Sequence, residues 1–86
     1  MVQVVENWAE LRGRVIAVAG HKQPRFATAK LAVDSVSDVD GFPNLFAEEK
    51  GHVVDVAIPA TTASLRVGDA VVLRVRRTPR GNFAAD

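Results

Sequence analysis

Three segments of this chain alternate apolar and polar residues with a period of two, which is the spacing of a β-strand that buries one face. They are residues 26–36, 52–58 and 70–76, and stretches rich in turn-forming residues separate them. Residues 11–19 form a fourth strand-like segment whose second half is apolar on both faces, which predicts burial on two sides. Short strands at this spacing predict an all-β fold rather than a parallel α/β unit.

The same alternation assigns an inward face to the predicted strands. In the segments 52–58 and 70–76, the positions expected to face the core are Val54, Val56, Ile58, Val71, Leu73 and Val75. Arg74 and Arg76 fall on the opposite, outward face of the fourth strand. Beyond the turn-forming residues 78–81 only residues 82–86 remain, which leaves room for a short fifth strand at most.

A short helical turn is predicted near the N-terminus. Asn7 followed three residues later by Glu10 is a capping-box pattern, and Gly13 can end the turn. Trp8 is then expected to pack against the end of the core. Residues 2–5 are also compatible with a short strand, and the sequence leaves both alternatives open.

A second short helix is predicted between the third and fourth strands. Residues 59–65 have room for about one to two helical turns, and Pro59 suits the first helical position. Gly68 and Asp69 then provide the turn that leads into the fourth strand.

The length of 86 residues corresponds to a single domain, residues 1–86, with one core of moderate stability. Hydrophobic residues make up 48% and charged residues 24% of the chain, which favours folding over disorder. There is no cysteine, which excludes disulfides, thiolate zinc sites and a cysteine nucleophile. The apolar runs are too short to cross a membrane, so a cytoplasmic location without membrane contact is expected.

Charge is unevenly distributed along the chain, although the formal net charge is only +1. Residues 34–55 are rich in Asp and Glu and contain Lys50 as their only lysine or arginine. All the other lysines and arginines flank this acidic segment. A fold that brings the two flanks together would therefore have a basic face and an acidic one.

The succession of strands resembles the oligonucleotide-binding (OB) fold, a five-stranded Greek-key barrel with a helix between strands three and four. Residues 11–15, 26–34 and 65–76 are similar to the first, second and fourth strands of single-stranded-DNA-binding and primosomal proteins of this fold. The chain departs from the pattern in its shorter helix and its nearly absent fifth strand. Either the barrel is reduced, or a partner supplies the missing edge, or residues 2–5 fill it.

The resemblance implies a ligand-binding face framed by the first hairpin loop and by the loop between strands four and five. Both loops are basic in this chain, so the resemblance implies binding of single-stranded DNA or RNA with weak sequence selectivity. Arginines and lysines would hold phosphates, and phenylalanines would stack on bases. The candidate residues are Lys22, Arg25, Phe26, Lys30, Arg74, Arg76, Arg77, Arg80 and Phe83. The alternative for each cation is a solvated outer surface, and Asp34 and Asp55 on the same face would repel phosphate.

A second candidate surface lies in the long connection at residues 37–51. Phe42, Leu45 and Phe46 are large apolar residues in this connection, and Pro43 favours an extended Phe42. They either plug one end of the barrel or form a contact with a partner. The second alternative, together with the open edge of an incomplete barrel, predicts a homodimer. The protein would then be a protein-interaction or assembly subunit that uses this connection and the open edge, rather than a nucleic-acid-binding module.

No pattern in the sequence indicates catalysis or metal binding. An EF-hand alignment on the Asp-Gly pair at 40–41 puts Ala47 where a bidentate acid belongs. His21 and His52 lie far apart without other metal-ligating residues, which is typical of surface histidines. Neither a nucleophile elbow nor a Gly-rich phosphate loop occurs. The sequence therefore predicts a protein that is not an enzyme and that binds no metal or cofactor.

Overall fold

The structure is a computed structural model that describes residues 6–60 and 65–85. The strands in these ranges are β1 (Ala9–Gly20), β2 (Phe26–Asp38), β3 (Val53–Pro59), β4 (Ala70–Thr78) and β5 (Gly81–Ala84). The described ranges contain no helix, and therefore none that could cross a membrane. The prediction of an all-β chain with five strands is confirmed.

The five strands form a closed ring in the order β1-β2-β3-β5-β4, and β4 returns to pair with β1. All neighbours are antiparallel except β3 and β5, which run parallel. Phe83 in β5 opposes Ala57 on one side and Arg76 on the other, so β5 fills the gap between β3 and β4. Of the alternatives for the fifth strand, the chain supplies its own, reduced to four residues. Because β5 closes the ring, the open edge expected as a partner contact is not present among the described strands.

The core lies inside this ring and is built from every second residue of the strands. The inward positions predicted for β3 are buried, as is Val75 in β4, while Val71 and Leu73 are half-buried and pack against the core. Phe46, which comes from the connection between β2 and β3, is fully buried among them. The predicted inward faces of β3 and β4 are thus confirmed.

The backbones of β1 and β2 come very close at Gly13. The register shifts between Arg12 and Gly13, which marks a β-bulge or irregularity, and it shifts again further along β1. A Cβ atom on Gly13 would overlap the Ala32 carbonyl oxygen and would lie 3.2 Å from a Leu31 methyl carbon. Glycine at this position is therefore what allows β1 to bend and pair with β2 on one edge and β4 on the other.

The predicted helical turn near the N-terminus is wrong. Residues from Ala9 onward belong to β1, and the Asn7 side chain is buried rather than placed as a helix cap. Its Nδ2 donates a hydrogen bond of 2.9 Å to the Arg77 carbonyl oxygen, and the Arg77 N–H donates one of 2.8 Å to its Oδ1. This side-chain amide thus extends the pairing of β1 with β4. Residues 2–5, the alternative strand, lie outside the described residues.

The helix predicted between β3 and β4 is not seen where the structure describes this stretch. Pro59 is the last residue of β3 rather than the start of a helix, and Ala60 donates a backbone hydrogen bond of 2.7 Å to the Arg25 carbonyl oxygen. Residues 61–64, the remainder of the predicted helix apart from Leu65, lie outside the described residues.

The prediction that the second half of β1 is buried on both sides is also wrong. Ile16 and Val18 are 44% and 45% exposed. The outer face of β1 is also exposed where the strand pairs with β4, at Arg12 and Arg14. Burial of this face would require a second layer packed over it, and the described residues leave Ile16 and Val18 exposed.

Candidate functional site

Three aromatic rings meet at one end of the strand ring and are called here the aromatic cluster. They are His21 in the loop after β1, Phe26 at the start of β2, and Phe83 in β5. Their ring centroids lie 5.4 to 6.1 Å apart in edge-to-face arrangements. The Gln23 N–H donates a hydrogen bond of 3.0 Å to His21 Nδ1, which fixes the imidazole within its loop. Three segments distant in sequence therefore share one small surface.

Strand register places the aromatic cluster on the outer face of the sheet. Phe83 opposes Ala57 in β3 and Arg76 in β4, and Ala57 opposes Thr28 in β2. Opposed residues of neighbouring strands point to the same face. A row from β2 to β4 therefore runs Thr28, Ala57, Phe83, Arg76 across the outer surface.

Three arginines surround the aromatic cluster in a cleft of about 460 Å³, called here the basic cleft. Arg25, Arg76 and Arg80 line it together with Phe26 and Phe83, and no carboxylate is among the described residues that line it. Arg25 lies over the Phe26 ring, with 5.9 Å between Cζ and the ring centroid. Within the described ranges, the guanidinium groups of these arginines make no ion pair. They are therefore available to an anion.

Lys22 extends the positive charge into an adjoining cleft of about 560 Å³. Its lining includes His21, Thr28, Arg80 and Phe83, and both clefts are lined by Arg80 and by Phe83 of the aromatic cluster. The structure thus brings together five of the predicted residues from the two loops and their flanking strands: Lys22, Arg25, Phe26, Arg80 and Phe83. Arg76 of β4 joins them.

Arg77 was predicted in the same site, but its guanidinium faces away from the basic cleft. It lies 4.5 Å from the Phe46 ring centroid, and its Nη2 is 3.2 Å from Glu49 Oε1. Its Nη1 donates a hydrogen bond of 3.1 Å to the Leu45 carbonyl oxygen. These contacts hold the connection between β2 and β3 against the ring of strands, so Arg77 has a structural role.

Lys30 and Arg74 also lie outside the basic cleft. Lys30 Nζ is 3.1 Å from Asp55 Oδ1 across β2 and β3, and both side chains are exposed. A surface pair of this kind contributes about 0 to 1 kcal/mol, but it partly neutralises the lysine. Arg74 is exposed on the outer face of β4 and opposes Glu10 in β1.

The predicted partner-contact residues differ in burial. Phe46 is fully buried, which fits the plug alternative for this side chain, whereas Phe42 and Leu45 are 38% and 45% exposed. The connection is held by a hydrogen bond of 2.8 Å from the Phe46 N–H to Asn44 Oδ1, and by Arg77. Two large apolar side chains are therefore presented on a well-anchored connection.

Two aromatic residues of this surface were not assigned to it from sequence. His21 was interpreted as a surface histidine and Trp8 as part of the core, but Trp8 is half-buried on the outer face. Arg76 Cζ lies 5.9 Å from the centroid of the Trp8 ring. A strand period beginning before residue 9 would have placed Trp8 outward. Across the described ranges, no group of three or more His, Cys, Asp or Glu side chains could hold a metal ion.

The chain matches no protein-family model, no curated protein and no solved structure. Its function is therefore inferred from the geometry and charge of its own surface. The most informative feature of this surface is that aromatic rings lie beside arginines that have no acidic partner within the described residues.

Proposed function

We propose that the protein is a non-enzymatic module that binds single-stranded nucleic acid, with weak sequence selectivity, in the basic cleft. The observation that carries this proposal is the lining of one cleft by Arg25, Arg76, Arg80, Phe26 and Phe83. Single-strand sites combine a positive groove for the phosphates with aromatic rings on which bases stack. Both elements occur here within one surface.

The strand order supports the same function. A closed ring in which β5 lies between β3 and β4 is compatible with the OB fold. The loop after β1 and the turn between β4 and β5 would then be the two loops that frame an OB-fold ligand. Both contribute to the basic cleft, through Arg25 and Arg80 respectively.

The chemistry of the cleft predicts preference for a single strand over a duplex. Stacking on Phe26 or Phe83 requires an accessible base face, which a duplex does not offer along its length. Arginines bound to phosphates do not read sequence, and every base has a face to stack. The ligand class is therefore single-stranded DNA or RNA with little discrimination among bases.

The first experiment is fluorescence anisotropy of labelled oligo-dT and a matched duplex, titrated with the protein at low and near-physiological salt. Three to four phosphate contacts should give a slope of log affinity against log salt of about −2 to −3 on the single strand. The single strand should bind more tightly than the duplex. Absence of binding at low salt, or equal binding of duplex, would contradict the proposal.

A second candidate function is an assembly subunit that uses Phe42 and Leu45, because both are exposed on an anchored connection. This candidate predicts a homodimer that the double variant Phe42→Ser, Leu45→Ser dissociates, with unchanged circular dichroism, as measured by sedimentation velocity. Phe46→Ser is unsuitable because Phe46 is buried in the core. A wild-type protein that is monomeric at high concentration would eliminate this candidate.

A further inference from the structure

We infer that the bound single strand runs from the aromatic cluster across β4 to Trp8, with Arg76 holding a phosphate between two stacking positions. This inference rests on the proposed function and adds to it a direction and a second stacking residue. It differs from a path along β2 and β3, which the resemblance to OB-fold proteins implies.

Strand register brings the three residues of this path into one row. Phe83 opposes Arg76, and Ala9 opposes Val75, which puts Trp8 beside Arg76 on the next strand. The Arg76 Cζ atom lies 5.9 Å from the Trp8 ring centroid. Neighbouring strands lie about 4.8 Å apart, so Phe83 and Trp8 are separated by about 10 Å. A short run of nucleotides covers this distance.

The aromatic cluster is too compact to stack two bases, so a second stacked base needs another ring. Its three rings pack edge to face with centroids 5.4 to 6.1 Å apart, so they form one platform rather than a series along a groove. On the side of Arg76 away from Phe83, the next ring along the row is Trp8. The path therefore has room for about two stacked bases, one at each end.

Charge favours the direction toward Trp8 over the direction along β2 and β3. On the β2 and β3 side, Lys30 is paired with Asp55, and Asp34 is exposed further along β2. On the β4 side, Arg76 makes no ion pair with any described residue. A phosphate on the β4 side of the basic cleft therefore meets Arg76, which has no ion pair among the described residues, whereas one on the β3 side meets the Asp55 carboxylate.

Acidic residues beyond Trp8 limit the length of the path. Glu6 Oε1 accepts a hydrogen bond of 3.4 Å from Trp8 Nε1, and Glu10 opposes Arg74 on the same face. These carboxylates would repel a further phosphate. The strand is therefore bound over a short footprint that ends at the indole.

Trp8 is the only tryptophan in the chain, so its emission reports on this end of the path directly. Unlabelled oligo-dT of increasing length is titrated into the full chain at low salt while tryptophan emission is recorded, and anisotropy of labelled oligo-dT is measured in parallel. The expected result is quenching with the same midpoint as the anisotropy change. Oligomers too short to reach from Phe83 to Trp8 should quench less at saturation.

Two variants test the stacking role of Trp8. Trp8→Leu keeps an apolar side chain but removes the ring, and should weaken binding about tenfold. Trp8→Phe keeps a ring and should bind within a few-fold of the wild type. Both are compared with Arg66→Ala, an exposed arginine before β4, which should bind as the wild type does.

The outcomes separate this inference from the proposed function. Anisotropy that reports binding while tryptophan emission stays constant would overturn the path to Trp8 and leave the function standing. If oligo-dT quenches the wild-type emission but Trp8→Leu binds with unchanged affinity, the stacking role would also be overturned. No anisotropy change for any oligomer at low salt would overturn both.

Discussion

Arg76→Glu combined with Arg80→Glu is expected to weaken binding of oligo-dT by about a hundredfold at low salt. Both arginines line the basic cleft, and neither guanidinium makes an ion pair within the described ranges. Each phosphate contact that is lost removes about 0.7 from the slope of log affinity against log salt. The double variant should therefore show a slope shallower by about 1.4, and the new carboxylates add repulsion. Anisotropy of labelled oligo-dT over a series of salt concentrations measures both quantities.

The control for this prediction is Arg12→Glu combined with Arg66→Glu. Both arginines are exposed, and neither lines the basic cleft. This pair changes the net charge by the same amount as the first pair, so it reports the effect of overall charge alone. Equal loss of affinity in the two double variants would show that binding is diffuse and that the basic cleft is not its site. Circular dichroism of each variant should match the wild type, because all four side chains are solvent-exposed.

Strands with one face in the core could be predicted from the alternation of apolar and polar residues. In β3 and β4 the inward residues recur at every second position, because a half-buried strand turns alternate side chains to the core, although Ala57 on the outer face of β3 is also buried. β5 has only four residues, too few for a period, and its position depends on parallel pairing of Phe83 with Ala57 from a distant strand. Local sequence does not carry that pairing.

The prediction of an N-terminal helical turn was wrong because an asparagine side chain can either cap a helix or hydrogen-bond the backbone of a neighbouring strand. Asn7 and Glu10 have capping-box spacing, but the Asn7 side-chain amide can also present an N–H donor beside its carbonyl acceptor, as a peptide group does. It hydrogen-bonds the backbone of Arg77, about seventy residues away in a chain of 86. Helix-capping patterns consider only residues that are close in sequence, so they do not predict a hydrogen bond from Asn7 to the Arg77 backbone.

The candidate site was predictable where charge and loop position decide it, as for Arg25 and Arg80. The exclusion of Arg77 follows from its place in β4: Arg76 faces outward, so the next side chain faces the other way, toward Phe46. The pairing of Lys30 with Asp55 depends on the register of β2 against β3, which a single sequence does not fix.

Gly13→Ala is expected to lower the free energy of unfolding by about 2 to 3 kcal/mol. The added methyl group would overlap the Ala32 carbonyl oxygen, which belongs to the backbone and cannot rotate away. The next β2 residue, Val33, is held by backbone hydrogen bonds of 2.9 Å to the His52 carbonyl oxygen and 2.8 Å from the Gly51 N–H. Relief of the overlap would have to strain these bonds. Urea denaturation followed by circular dichroism measures the change.

Gly20→Ala is the matched control, because Gly20 ends the same strand and a Cβ there has no atom within 4 Å. Its backbone does not require a positive φ, since the glycines with positive φ in the described residues lie elsewhere. This substitution should leave stability unchanged or raise it slightly, because alanine restricts the unfolded chain more than glycine does. Equal denaturation midpoints for the two variants would mean that β2 can move away from β1 at little cost. The close approach at Gly13 would then not be what sets the bend of β1.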